Sequence, residues 1–264
     1  APLITGDLVF RLTVYDNDFN EASDEVIISV GDCVSISDIQ FTQDQGSYCY
    51  ESDIVGEEVN LCPAVVTHVV PETNAGSAGN FFLSQSGTSI WGGIFIRDFD
   101  IVPSVGDKID LTATVNEYYS FTQLVDVSIS SIISSGNSVI PQSINTGDLG
   151  LGCSQEGESY EGMLVKLNDV TVESIDECGN IQINDGSGPT LMDDYYFDGN
   201  WTNFSIGENI SSIVGNVGYS YSEFKIYPRN ENDLGSCVNL GDLNGDGGWN
   251  VLDIVVLANC ILNG

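Results

Sequence analysis

Apolar and polar residues alternate along this chain in short bursts, the period of half-buried strands. LVFRLTVY (Leu8–Tyr15) sets Leu8, Phe10, Leu12 and Val14 on one side, and EVIISV (Glu25–Val30) does the same with Val26, Ile28 and Val30. The Asp/Asn-rich connection between them predicts a hairpin. A lone hairpin is marginally stable in water, so this one is expected to need a further sheet. Short alternating runs continue from residue 33 to 235. Helical spacing is sustained only at Val251–Leu262, which is apolar nearly all round and so is expected to be buried.

The central span contains a weak repeat. SVGDKIDLTATVNEYYSFTQLVDVSI, from Ser104, and SIGENISSIVGNVGYSYSEFKIYPRN, from Ser205, share a Gly-acid turn, an alternating strand, a Tyr-Ser corner and a second strand, offset by 101 residues. Upstream, IWGGIFIRDFD aligns with GNIQINDGSG, and VGEEVNLCPAVVTHVV with ESYEGMLVKLNDVTV. About five short strands per copy is the size of a small barrel, and two copies fill the span.

These residues carry a resemblance. The pattern from Val55 through "WGGIFI" to "VNEYYSFTQL" looks like the OB-fold domains that accompany secreted bacterial nucleases, and the second copy, through "INDGSG" to "FKIYPRN", is similar to their companion repeat. The match covers about residues 34–235. It implies accessory, non-catalytic barrels. OB-folds grip single strands through a basic groove and stacking aromatics, and this chain has the aromatics without the basic groove. "LTVYDND…SDEVIISV" resembles the last two strands of a PKD-like or cadherin-like Ig domain.

Charge sharpens the picture. Six Lys+Arg face 39 Asp+Glu, a net charge of −33. Arg11, Arg97, Lys108, Lys166, Lys225 and Arg229 are scattered, which weighs against neutralising phosphates of a nucleic acid or an anionic membrane. No run reaches the roughly 20 apolar residues of a membrane span. APLITGDLVF lacks the regions of a signal peptide, so a processed or excised chain is expected. Seven cysteines in an acidic, Lys-poor chain predict an extracellular, secreted or cell-surface setting.

The sharpest motif is GDLNGDGGWNVLDIVVLANCIL. Asp242, Asn244, Asp246, Gly248, Asn250 and Asp253 fall at loop positions 1, 3, 5, 7, 9 and 12 of an EF-hand, and Gly247 takes the sharp turn at position 6. The loop resembles a single dockerin-type calcium repeat, in which Asp commonly takes position 12, and calcium is the expected cofactor. A second calcium could sit in DNDFNEASDE on Asp16, Asp18, Asn20 and Asp24, with a solvated hairpin loop as the equal alternative.

Spacing leaves the cysteine connectivity open. Local proximity favours Cys49–Cys62, Cys153–Cys178 and Cys237–Cys260, leaving Cys33 for a partner elsewhere. A catalytic thiol would need an imidazole, and the one histidine, His68, sits in the apolar run AVVTHVV as an ordinary strand residue. No Cys-x-x-Cys spacing supports zinc. Tyr118/Tyr119/Phe121, Tyr195/Tyr196/Phe197 and Tyr219/Tyr221/Phe224 are either cross-strand packing sets, which is favoured, or stacking platforms for sugars or bases. Asn200, Asn203 and Asn209 head glycan-acceptor sequons.

The expected architecture is mainly β: an Ig-like hairpin (1–32), two OB-like barrels in tandem (33–149 and 150–236) and an EF-hand-like calcium loop with one helix (237–264). No enzyme activity is expected. The expected role is a structural subunit of an extracellular filament, self-associating with neighbouring copies by strand addition. The alternative is an accessory module binding glycan or nucleic acid beside a secreted enzyme.

Overall fold

The computed structural model describes residues 6–15, 21–30, 33–71, 79–97, 103–177, 179–199, 201, 203–235, 251–252 and 254–255. Strands β1 (Gly6–Tyr15) and β2 (Glu21–Val30) form the expected antiparallel hairpin, with Leu12 opposite Asp24 and Val14 opposite Ala22. Leu12 and Val14 are exposed. Val251, Leu252, Ile254 and Val255 are helical and exposed.

The first barrel comprises β3 (Glu58–Val69), β4 (Phe81–Ser84), β5 (Gly93–Ile96), β6 (Lys108–Glu117) and β7 (Thr122–Ser134). It closes in the order β3-β4-β5-β7-β6, with β5 and β7 parallel. Strand β6 reads directly from sequence. Ile109, Leu111, Ala113 and Val115 point inward while the residues between them are half-exposed. Helix α1 (Ile36–Gln40) starts at a Ser35/Asp38 capping box and puts Ile36 and Ile39 into the same core as Leu61, Phe81 and Leu124.

The second barrel repeats this order. Strand β8 (Gln142–Ser143) and helices α2 (Thr146–Leu149) and α3 (Gln155–Glu158) lead into β9 (Leu164–Ile175), β10 (Ile181–Asn184), β11 (Pro189–Met192), β12 (Asn209–Ser220) and β13 (Glu223–Tyr227). The five longer strands close as β9-β10-β11-β13-β12, again with one parallel pair, β11–β13. The short β14 (Leu234–Gly235) adds to β12. Strand β8 pairs with β9, and Thr146 bonds Asp185, so residues 142–149 are tied to the second barrel.

The repeat holds at β6/β12 and β3/β9 but slips by one strand in between. GIFI is β5 and IQIN is β10, the counterpart of β4 in the second copy, so β5 corresponds instead to PTLM of β11. The loop lengths differ between the copies, and aligning the two Ile-rich runs by composition conceals that difference.

The barrels share one seam. Trp91 N donates to Ser159 O at 2.7 Å, Asn216 Nδ2 to Thr67 Oγ1 at 3.1 Å, and an Arg229 guanidinium nitrogen to Thr67 O at 3.0 Å. Gly93 meets Gly162 and Met163 backbone to backbone, with no room for a Cβ. Phe82, Phe95 and Phe121 of the first barrel lie in one apolar cluster with Val217, Tyr219 and Tyr227 of the second.

The cysteines correct the expectation. Cys33 bonds Cys62, and Cys49 bonds Cys153; neither Cys49–Cys62 nor Cys153–Cys178 forms. Fold contacts override nearness in sequence. Val34 bridges Leu61 and accepts the Cys62 N–H, which brings Cys33 beside Cys62 at a Cα separation of 4.7 Å. Cys49 is buried at the seam, where the start of the second barrel supplies Cys153. The two bonds interleave, and the second crosses between barrels. Cys178, Cys237 and Cys260 lie outside the described residues.

Candidate functional site

The β6–β7 and β12–β13 hairpins turn on the same dipeptide. In the first, Tyr118 and Phe121 exchange backbone hydrogen bonds around Tyr119-Ser120, with φ of 52° and 61°. In the second, Ser220 pairs with Glu223 around Tyr221-Ser222, with φ of 54° and 67°. Two positive φ values in a row are the demand of a type I′ turn, which Asn-Gly meets most easily. A tyrosine in the left-handed region costs about 1–2 kcal/mol. Both turns bear that cost, and each holds its ring in solvent: Tyr119 is 81% exposed and Tyr221 93%.

Both hairpins border one open cleft of about 1370 Å³ between the barrels. Its floor is a run of rings in contact across the seam. Phe121 lies 5.1 Å from Phe95, Phe95 5.7 Å from Tyr196, and Tyr196 4.9 Å from Tyr227. Burial raises the hydroxyl pKa of Tyr196 and Tyr227, so both stay neutral donors. Tyr227 Oη and Ser220 Oγ are 3.0 Å apart.

Two of the chain's six cations stand here. Arg97 lies 5.0 Å from the Tyr118 ring centroid and Lys225 Nζ 5.7 Å from that of Tyr221, each within cation–π range. Lys225 is buried and paired to Asp193 Oδ2 at 2.9 Å and Asn180 Oδ1 at 2.6 Å. With Glu51 on the wall, the charges lining the cleft among the described residues are two of each sign. Buried Asn80 also lines it, and its Oδ1 has no partner among the described residues.

The sequence-derived candidates fall out unevenly. All three aromatic sets reach the cleft through Tyr118, Tyr119, Phe121, Tyr195, Tyr196, Tyr219 and Tyr221. Phe224 packs behind Tyr219 at 4.7 Å, and Phe197 packs on Trp201 at 4.9 Å. Each set therefore puts rings on the cleft wall, and Phe224 and Phe197 pack behind two of the sets. The calcium loop Asp242, Asn244, Asp246, Gly248, Asn250 and Asp253 lies outside the described residues, as do Asp16, Asp18 and Asn20. Asp24 is exposed on β2. Among the described residues no group of three or more His, Cys, Asp or Glu is arranged to hold a metal ion. Asn203 and Asn209 are exposed, and Asn200 lies outside the described residues.

His68 is buried in β3, stacked on Phe82, with both ring nitrogens unpartnered. Burial first, then the Arg229 charge, lowers its pKa to about 4. Sequence reasoning missed a further group at the seam: buried Glu158 and Glu161, with Glu117 beside them. No motif marks them among 39 acidic residues. Comparison with known proteins finds no matching family model, no similar curated protein and no similar solved structure.

Proposed function

We propose that this chain is a non-catalytic extracellular binding module, two OB-like barrels holding a linear, uncharged glycan in the cleft between them. The observation that carries this reading is the paired Tyr-Ser turn: two copies of one strained hairpin, at matching places in two barrels, each present an exposed tyrosine to one cleft. Tyrosine rings stack on the apolar faces of sugar rings, and neutral tyrosine hydroxyls with Asn80 and Gln123 supply hydrogen bonds to sugar hydroxyls. Balanced charge among the described cleft residues, inside a chain of net −33, favours a neutral ligand over a polyphosphate. Isothermal titration with neutral β-linked hexasaccharides tests it. Tyr119→Ala and Tyr221→Ala should each weaken binding by about tenfold or more, the scale of one lost stacking contact. If no neutral hexasaccharide binds, or binding survives both changes together, the reading fails.

A second reading, the fibre subunit, is favoured by the exposed Leu12 and Val14 of the β1–β2 hairpin, which strand addition to a neighbouring copy would cover. The proposal keeps calcium at Asp242–Asp253 on the strength of the loop sequence.

A further inference from the structure

Three carboxyl groups meet where the barrels join. Thr122, the first residue of β7, connects two of them: its N–H donates to Glu161 Oε1 at 2.9 Å and its hydroxyl to Glu117 Oε1 at 2.6 Å. Ser52 N also donates to Glu117 Oε1, at 2.9 Å. Glu158 Oε2 lies 3.8 Å from Cys49 Sγ of the inter-barrel disulfide. The second oxygen of each group, Glu117 Oε2, Glu158 Oε1 and Glu161 Oε2, is buried without a hydrogen-bond partner among the described residues. Glu117 comes from the first barrel and the other two from the second, so the cluster straddles the seam.

Three ionised carboxylates cannot share a dry site of this kind. The like charges repel, and each orphaned oxygen has lost its water. The groups acting on them add no positive charge: Glu51 bears on Glu117, Tyr219 shares the field of Glu158 and Glu161, and the neutral Gln40 side chain lies beside Glu161. The carboxyls are not part of any group of three or more His, Cys, Asp or Glu arranged for a metal ion among the described residues. Protons can discharge them, and a protonated carboxyl gains a hydrogen-bond donor.

We propose that Glu117, Glu158 and Glu161 form a proton-held latch between the two barrels, which grips while the cluster keeps shared protons and is forced apart when they leave. Burial raises all three pKa values, with mutual repulsion adding to the rise at Glu158 and Glu161, and Glu158 reaches about 9. A carboxyl whose folded pKa exceeds its unfolded value binds more protons when folded. Its contribution is therefore full below about pH 4.5 and is lost as the pH rises toward about 9. This device is independent of what the cleft binds.

The experiment compares melting midpoints at about pH 5 and about pH 9 for the wild-type chain, the double variant Glu158→Gln/Glu161→Gln, and the exposed control Glu57→Gln. Glutamine copies the shape of a protonated glutamic acid but cannot ionise. The double variant should lose about half or more of the wild-type alkaline drop, and the control should keep it. Thr122 amide protection supplies a local reading on the unaltered chain and should fall about tenfold or more over the same range. An unchanged alkaline drop in the double variant, or Thr122 protection that holds at pH 9, overturns the latch. So does a double variant destabilised equally at both pH values, because that result would mean ionised carboxylates are needed.

Discussion

Gly93→Ala probes the seam on which both cleft and latch depend. A Cβ at Gly93 would collide with backbone atoms of Gly162 and Met163, and one at Gly162 would stand 2.5 Å from the Gly93 carbonyl carbon and Ile94 N. Carbon atoms rest about 3.5–4 Å apart, so the barrels must separate by about 1–2 Å. That stretch takes Trp91 N to Ser159 O from 2.7 Å past hydrogen-bonding range, and threatens Thr122 N to Glu161 and Asn216 Nδ2 to Thr67. Each buried group left unpaired costs about 1–3 kcal/mol, which puts the whole change at about 3–6 kcal/mol. At about 2–4 °C per kcal/mol for a chain of this size, calorimetry should record a fall of about 6–24 °C. Gly87→Ala is the control. It has a φ of 88° but open space around it, so it should cost only about 1–2 kcal/mol of backbone strain. If Gly93→Ala is no worse than Gly87→Ala, the barrels are not packed backbone to backbone and the seam argument falls.

Removing either disulfide should destabilise the chain in proportion to the loop it closes. Sequence separations of 104 and 29 give about 4.7 kcal/mol for Cys49–Cys153 and about 3.6 kcal/mol for Cys33–Cys62, so Cys49→Ala/Cys153→Ala should show the lower urea midpoint. The reverse order would contradict the loop-entropy account. His68 acts in the opposite pH sense to the latch. With a folded pKa of about 4, it takes up fewer protons folded than unfolded, and stability is lost as the pH falls from about 6.5 toward 4. His68→Leu should remove an acid-side slope approaching about 1.4 kcal/mol per pH unit, measured by urea titration at a series of pH values. A variant with an unaltered acid limb would show that His68 is solvated.

Strict alternation in KIDLTATVNE was enough to place β6 and its inward side chains, because a closed barrel buries one face and leaves the other to solvent. The Tyr-Ser corners were legible as a repeat, but not their meeting in one cleft, which follows from how the seam orients the two barrels. The cysteine pairing escaped for a similar reason. Nearness along the chain says little when a bridge at Val34 and a contact between barrels decide which thiols touch. Glu117, Glu158 and Glu161 lie in sequences indistinguishable from acidic surface turns, and only closure of the seam strips their water.

The interleaved bonds impose an order on how the molecule is made. A chain growing from its N-terminus releases Cys33, Cys49 and Cys62 well before Cys153, so Cys33 and Cys49 compete for Cys62 while the rightful mate of Cys49 is still unsynthesised. Docking of Val34 against the first barrel before Cys153 emerges would decide that contest by holding Cys33 at Cys62. The first barrel then waits with one thiol in reserve, and production of that barrel alone calls for Cys49→Ser to keep the stranded sulfur from joining two molecules.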